Sequence, residues 1–137
     1  MTDGGGHFVT RYKEEIIASV ISNTRKLVQD PYGNYVVQYL LDLRRPELTL
    51  GIALGLQGAF VELSLQKFSS NVIEKCLRAG DGRVISVVCA EVTESSQLGQ
   101  LLHDKFANYV LQTILTVGAD AEVQRDHDLL SISATFT

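Results

Sequence analysis

Residues 27–38 read Leu27-Val-Gln-Asp-Pro-Tyr-Gly-Asn-Tyr-Val-Val-Gln38. The same pattern returns as Leu63-Ser-Leu-Gln-Lys-Phe-Ser-Ser-Asn-Val-Ile-Glu74 and as Leu101-Leu-His-Asp-Lys-Phe-Ala-Asn-Tyr-Val-Leu-Gln112. Successive copies are 36 and 38 residues apart. This spacing is too long for a coiled-coil heptad and is typical of stacked helical units, each of which buries its apolar face against its neighbours. The sequence therefore predicts an all-α solenoid.

The repeats divide the chain into units of about residues 23–58, 59–96 and 97–132, followed by a tail at 133–137. Each unit is predicted to contain a short first helix, a second helix that carries the repeated pattern, and a third helix. Proline fits helix starts and glycine fits helix ends, and these residues recur at repeat spacing. They are Pro31 and Pro46, and Gly58, Gly80 and Gly118. Residues 8–21 resemble the last helix of a preceding unit, so 8–132 is one partial repeat domain, and residues 1–7 are predicted to form a flexible leader.

The second helix of each unit separates an apolar stripe from a polar one, because successive residues advance by about 100°. In the first unit the apolar stripe consists of Val36, Val37, Leu40 and Leu41. Three positions on the other side, which we call the trio, are expected to line one exposed surface in register. The trios are Asn34, Tyr35 and Gln38; Ser70, Asn71 and Glu74; and Asn108, Tyr109 and Gln112. The aromatic residues two positions before each trio, Tyr32, Phe68 and Phe106, are expected to pack at the edge of the core.

The trios carry groups that could recognise a nucleobase by its edge and its face. The amides of the first and third trios offer donors and an acceptor, which fits the Watson–Crick edge of uracil. Glu74 offers acceptors only, which fits the N1–H and N2–H donors of guanine. Tyr35 and Tyr109 offer rings on which single-stranded bases can stack. The alternative is that these are ordinary solvated side chains on a helix face, but three copies in register favour a common role.

These runs resemble successive repeats of the Pumilio (PUF) family of RNA-binding proteins, specifically its sixth, seventh and eighth repeats. The resemblance rests on Gly33 to Gln38, Ser69 to Cys76 and Ala107 to Gln112, and it covers about residues 8–118. It implies a right-handed α-solenoid of three-helix repeats that binds single-stranded RNA, one base per repeat, with the chain antiparallel to the RNA. In this family the N-Y-x-x-Q pattern reads uracil and S-N-x-x-E reads guanine, which implies a 5′-UGU-3′ core.

The resemblance also implies a biological role. It predicts a cytoplasmic protein that binds 3′ untranslated regions of mRNA and regulates them after transcription, with repressor or deadenylation proteins on its outer face. A second hypothesis is a protein-interaction solenoid with little RNA affinity of its own. The net charge of −4 favours this second hypothesis, because phosphate contacts dominate nucleic-acid affinity.

Other functions have little support in the sequence. Cys76 and Cys89 are isolated, and His7, His103 and His127 lack the spacing of metal ligands, so packed thiols and no metal site are expected. No nucleophile motif or phosphate-binding glycine loop is present, which argues against an enzyme or a cofactor. No apolar run approaches the roughly 18–20 residues of a membrane span. The segment after Gly118 is acidic, where the Pumilio family continues with a basic helix.

Overall fold

The computed structural model describes the backbone of residues 2–120 and the side chains of residues 10–118. Every regular element in this range is a helix, so the predicted all-α fold is confirmed. None of these helices combines the length and the apolar character that crossing a bilayer requires. The helices are α1 (Thr2–Ser22), α2 (Thr24–Val28), α3 (Gly33–Asp42), α4 (Pro46–Leu56), α5 (Phe60–Ser64), α6 (Lys67–Ala79), α7 (Gly82–Glu94), α8 (Leu98–His103) and α9 (Ala107–Asp120).

The helices form two rows that run the length of the solenoid. The second helices of the three units, α3, α6 and α9, lie side by side, with α6 between the other two. The third helices form a parallel row in which α1 packs on α4 and α4 packs on α7. The short first helices α2, α5 and α8 pack on the second helix of their own unit. Each unit therefore contacts mainly its neighbours, as in a repeat solenoid.

The first helix of the structure differs from the sequence prediction. Residues 1–7 were expected to form a flexible leader, but α1 begins at Thr2 and runs without a break to Ser22. Extending an existing helix by one residue costs far less than nucleating a new one, so the three glycines at 4–6 do not end it. The predicted third helix of the last unit and the tail at 133–137 lie outside the described residues, as do His127 and the side chain of His7.

One continuous core joins the two rows. Its largest fully buried side chains include Leu41, Phe60, Ile73 and Ile114. The apolar stripe of α3 is narrower than predicted, because Val37, Leu40 and Leu41 are buried but Val36 is exposed. Both cysteines lie in this core, and burial raises the pKa of the Cys76 thiol to about 12. The predicted packed thiols are therefore confirmed.

Proline and glycine mark some helix ends but not all. Pro46 is the first residue of α4, and Gly58, with φ +93°, lies just after that helix, as predicted. Pro31 instead lies in the turn before α3, where the Asp30 carboxylate accepts hydrogen bonds from the amides of Tyr32 and Gly33 at 2.8 and 2.6 Å. These bonds lower the pKa of Asp30, the one from Gly33 most. Gly118 lies inside α9 rather than at its end.

An apolar groove of about 500 Å³ separates α1 from α3. Its walls include Tyr12, Ile16, Val36, Tyr39 and Leu43. The corresponding position one unit further along, between α4 and α6, is filled by α3 itself. The groove therefore offers an apolar surface at the position that a second helix occupies one unit further along.

Gly80, which ends α6, has no room for a side chain. A Cβ atom at this position would lie 2.5 Å from Cβ of Val84 and 2.8 Å from the Cys76 carbonyl oxygen. We expect Gly80→Ala to lower the free energy of unfolding by about 1–3 kcal/mol, the cost of overpacking. Gly99→Ala is the matched control, because a Cβ atom added at Gly99 would have no neighbour within 4 Å. That substitution in α8 is expected to raise the free energy of unfolding by up to about 1 kcal/mol. Urea denaturation measures both, and equal stability of the two variants would contradict the close packing of α6 on α7.

Candidate nucleic-acid interface

The three trios occupy equivalent positions on α3, α6 and α9, so the second-helix row carries one trio per unit. The expectation that every trio residue is exposed is wrong for two of them, since Asn34 and Ser70 are each only 2% exposed. Both lie near the start of a helix, where the Cα–Cβ bond points back toward the preceding turn. The first trio residue therefore folds against the turn, and the other two reach the surface.

In the first unit the trio forms a chain of hydrogen bonds. The Asn34 side-chain amide donates to the carbonyl oxygens of Asp30 and Pro31, at 2.8 and 2.9 Å. The Gln38 side-chain amide donates in turn to Oδ1 of Asn34 at 2.8 Å. Asn34 thus uses both of its donors on the backbone and fixes the orientation of Gln38.

The third unit repeats this arrangement closely. The Asn108 amide donates to the Asp104 carbonyl oxygen at 2.8 Å, and the Gln112 amide donates to Oδ1 of Asn108 at 2.9 Å. The Asp104 carboxylate accepts from the amides of Phe106 and Ala107, as Asp30 does in the first unit. The same hydrogen-bond chain in two units indicates that the sequence pattern itself sets this geometry.

Each fixed glutamine can present one acceptor and one donor. Within the described part of the chain, Oε1 of Gln38 accepts no hydrogen bond, and one of its two N–H groups remains unused. The same holds for Gln112. An acceptor next to a donor is complementary to the N3–H and a carbonyl oxygen of uracil. These two units can therefore engage uracil through the glutamine alone.

The second unit differs from the other two in the length of its first trio side chain and in the charge of its third. Ser70 is too short to reach Glu74, and its hydroxyl donates to the Lys67 carbonyl oxygen at 3.3 Å. The Glu74 carboxylate instead points toward α9, where Oγ1 of Thr113 lies 3.5 Å from its Oε1. Burial raises the pKa of the Glu74 carboxyl, although the positive charge of Arg78 and the Thr113 hydroxyl oppose this. The ionised carboxylate presents two acceptors to the donors of guanine.

The middle residue of each trio is exposed. The side chains of Tyr35 and Tyr109 are 66% and 56% exposed, which leaves their rings available for stacking. The equivalent Asn71 is also exposed and donates to the Lys67 carbonyl oxygen at 3.3 Å. The first and third units therefore offer an aromatic face, whereas the second offers a planar amide.

The aromatic residues before the trios do not behave alike. Phe68 and Phe106 are partly buried as predicted, and the ammonium groups of Lys67 and Lys105 lie 5.6 and 5.1 Å from their ring centroids. Tyr32 is 83% exposed, so the prediction that it packs at the core edge is wrong. It lies in the turn that Asp30 closes, outside α3, where no neighbouring helix of the described chain covers it.

The structure also brings in residues that the repeat pattern does not indicate. Thr113, the residue after the third trio, is buried and contacts Arg78 as well as Glu74. The positive charge of Lys75 is paired with Asp42 of α3 at 3.1 Å. This pairing partly neutralises the positive charge that Lys75 brings to the surface beside the second trio. Arg78 lies four residues after Glu74 on the same helix, a spacing at which two side chains can interact.

Comparison with known proteins gives a consistent result. The sequence matches the Pumilio-family RNA binding repeat over residues 23–50, 59–93 and 97–125. It is 38% identical to Pumilio homolog 12 of Arabidopsis thaliana over 110 residues, which are 80% of this chain and 18% of that protein. It is 40% identical to a Pumilio domain-containing protein of Schizosaccharomyces pombe over 102 residues, 74% of this chain and 15% of that protein. The chain thus spans less than a fifth of the length of these relatives.

Solved structures share the fold. The chain superimposes on the Puf3 RNA binding domain bound to a Cox17 RNA 3′ UTR recognition sequence, with a TM-score of 0.77 and 24% identity. That alignment covers 91% of this chain and 33% of the Puf3 domain. The Puf4 RNA binding domain bound to an HO endonuclease RNA 3′ UTR recognition sequence gives a TM-score of 0.64 at 25% identity, over 70% and 29% of the two chains. The predicted helical solenoid of Pumilio-type repeats is confirmed.

Proposed function

Because this chain belongs to the Pumilio family of RNA-binding repeat proteins, we propose that its row of trios binds single-stranded RNA, one base per unit. The observation that carries the proposal is the alternation along the row. Two units present a glutamine amide fixed by an asparagine, and the unit between them presents a carboxylate. With this alternation the row can recognise three successive bases, of which the outer two are the same and the middle one differs.

The base preference follows from the edge each unit presents. The first and third units suit uracil, and Glu74 suits guanine, so the preferred triplet is 5′-UGU-3′. The 5′ uracil is assigned to the third unit and the 3′ uracil to the first, on the antiparallel arrangement that the family resemblance implies. Tyr35 and Tyr109 add stacking, worth roughly 1–3 kcal/mol per base in single-strand binders.

The cellular role we propose is binding to 3′ untranslated regions of mRNA and regulation of those messages in the cytoplasm. The support is that the superimposed Puf3 and Puf4 domains are bound to 3′ UTR recognition sequences. Repressor or deadenylation proteins would bind the opposite face, along the third-helix row of α4 and α7. The activity is binding and needs no catalytic residue or cofactor.

A comparison of two short labelled RNAs tests this function. We expect an RNA of about eight nucleotides with a central UGU to bind more tightly than the same RNA with UCU, by about 1–3 kcal/mol for one good bidentate base contact. Two bases stacked on Tyr35 and Tyr109, together with the base-edge contacts, must offset an association cost of about 4–15 kcal/mol, so we expect a Kd in the micromolar range or weaker. Fluorescence anisotropy measures both affinities. Equal binding of the two RNAs would refute base reading by Glu74.

The second candidate function is a protein-interaction solenoid with little RNA affinity. The net charge of −4 and the apolar groove between α1 and α3 favour it. The same anisotropy experiment separates the two functions. An absence of binding to UGU RNA at millimolar protein would leave only this second candidate.

A further inference from the structure

Thr113 links the third unit to the carboxylate of the second. This threonine is buried between α9 and α6, and its hydroxyl oxygen has three neighbours. It lies 2.9 Å from the Tyr109 carbonyl oxygen, 3.5 Å from Oε1 of Glu74 and 3.3 Å from Nη2 of Arg78, which donates to it. The hydroxyl donates mainly to the carbonyl oxygen of its own helix, lies at the outer limit of hydrogen-bond distance from the Glu74 carboxylate, and accepts from Arg78.

The protonation of Glu74 decides which base its edge fits. An ionised carboxylate has acceptors only and suits the two donors of guanine. A protonated carboxyl has one O–H donor and one acceptor, the same combination that Gln38 and Gln112 present. A neutral Glu74 would therefore favour uracil over guanine. Guanine selection requires that the half-buried group keep its charge.

Arg78 is the cation placed to maintain that charge. It lies one turn after Glu74 on α6, and its guanidinium is held by Thr113 from α9. Lys75, which follows Glu74 directly on α6, is instead paired with Asp42 of α3.

The other elements packed against α6 also carry ionisable side chains, among them Arg25 and Lys26 of α2, Glu47 of α4 and Glu62 of α5. Apart from Asp42, the ionisable side chains described on α3 and α9 are the phenols of Tyr35, Tyr39 and Tyr109. On α7, the Glu91 carboxylate accepts hydrogen bonds from the amides of Gly58 and Phe60.

We propose that Thr113 and Arg78 form a clamp between units that holds the Glu74 carboxylate ionised and oriented for guanine. This inference rests on the proposed function, because it assigns part of the guanine choice of the second unit to a residue of the third. Thr113 and Arg78 are positioning residues in this scheme, since neither needs to touch the base. The base preference of one unit is then a property of two adjacent helices.

The clamp makes base choice depend on pH in a defined direction. Burial already raises the pKa of Glu74, and Arg78 and Thr113 oppose that rise. Removing either should raise the pKa of Glu74 further, so that guanine preference is lost at a higher pH than in the unmodified chain. At low pH the unmodified chain should itself shift toward uracil at the middle base.

The test compares Thr113→Val and Arg78→Met with the control Thr116→Val. Valine has the shape of threonine, and Thr116 also lies on α9 with its hydroxyl donating to a backbone carbonyl, that of Gln112. The first measurement is the pKa of the Glu74 carboxyl, followed by carbon-detected NMR without RNA. The second is competition between UGU and UUU RNAs over a pH range from about 5 to about 8, because buried carboxyl groups can titrate well above their usual range.

We expect both clamp variants to raise the Glu74 pKa and to reduce the guanine preference at pH 7 by about three- to tenfold, the value of one hydrogen bond. The control should change neither. An unchanged NMR titration and an unchanged pH profile in both variants would overturn the clamp, even with guanine selection intact. A chain that shows no guanine preference at any pH would refute the proposed function, and the clamp with it.

Discussion

Replacing Glu74 by glutamine is expected to move the preferred RNA from 5′-UGU-3′ toward 5′-UUU-3′. The carboxylate accepts from both guanine donors, whereas an amide offers one donor that would face a guanine N–H. We expect the loss of about 1–3 kcal/mol of discrimination in favour of guanine, with uracil now accepted. Competition binding with RNAs that differ only at the middle base measures the change.

The structure predicts that Glu74→Gln alone produces only part of the uracil preference that the first and third units have. In the first and third units an asparagine fixes the glutamine, but Ser70 is too short to do so. Ser70→Asn combined with Glu74→Gln should therefore prefer uracil more strongly than Glu74→Gln alone. Glu62→Gln on α5 is the control, since it removes the same charge at an exposed position off the second-helix row. An unchanged guanine preference in Glu74→Gln would show that Glu74 does not read the base.

The reverse exchange in the first unit is expected to create a second guanine reader. Asn34→Ser with Gln38→Glu copies the side chains of the second unit onto α3, and should move the optimum to 5′-UGG-3′. The backbone should tolerate it, because Ser70 occupies the equivalent position and is equally buried. We expect about 1–3 kcal/mol in favour of the new base, from one altered base contact.

This exchange also reveals polarity, which the unmodified triplet cannot, because 5′-UGU-3′ reads the same in both directions. Measuring UGG, GGU and UGU RNAs in parallel separates the outcomes. A shift to 5′-GGU-3′ would show that the chain runs parallel to the RNA. Gln38→Glu alone is the informative partial variant, since Asn34 would then lose the hydrogen bond that Gln38 donates to it.

Sequence periodicity was sufficient to predict the all-helical repeat fold and the second helices that carry the trios. It failed for residues whose environment depends on the turn before a helix. Asn34 and Ser70 were placed on the exposed side of an ideal wheel, yet each folds back onto the preceding turn. Tyr32 was assigned to the core edge, but the Asp30 turn holds it outside α3.

Contacts between units were also beyond prediction from one sequence. Thr113 is 39 residues from Glu74, and nothing in the local pattern around either residue indicates that they meet. Their proximity follows from the side-by-side packing of α6 and α9, which only the folded chain defines. The trios could thus be predicted as a set, whereas the surroundings that tune each one could not.

The hydrogen bond between Gln38 and Asn34 has a consequence for the entropy of binding. A free glutamine loses rotamer freedom when it is immobilised, at a cost of about 0.5–1.5 kcal/mol per side chain. In the first and third units this ordering has already taken place during folding. A uracil that meets these units therefore encounters a preorganised partner. As the temperature rises, the two uracil contacts should therefore lose less affinity than the guanine contact. The guanine contact depends on Glu74, whose carboxylate lies 3.5 Å from the Thr113 hydroxyl.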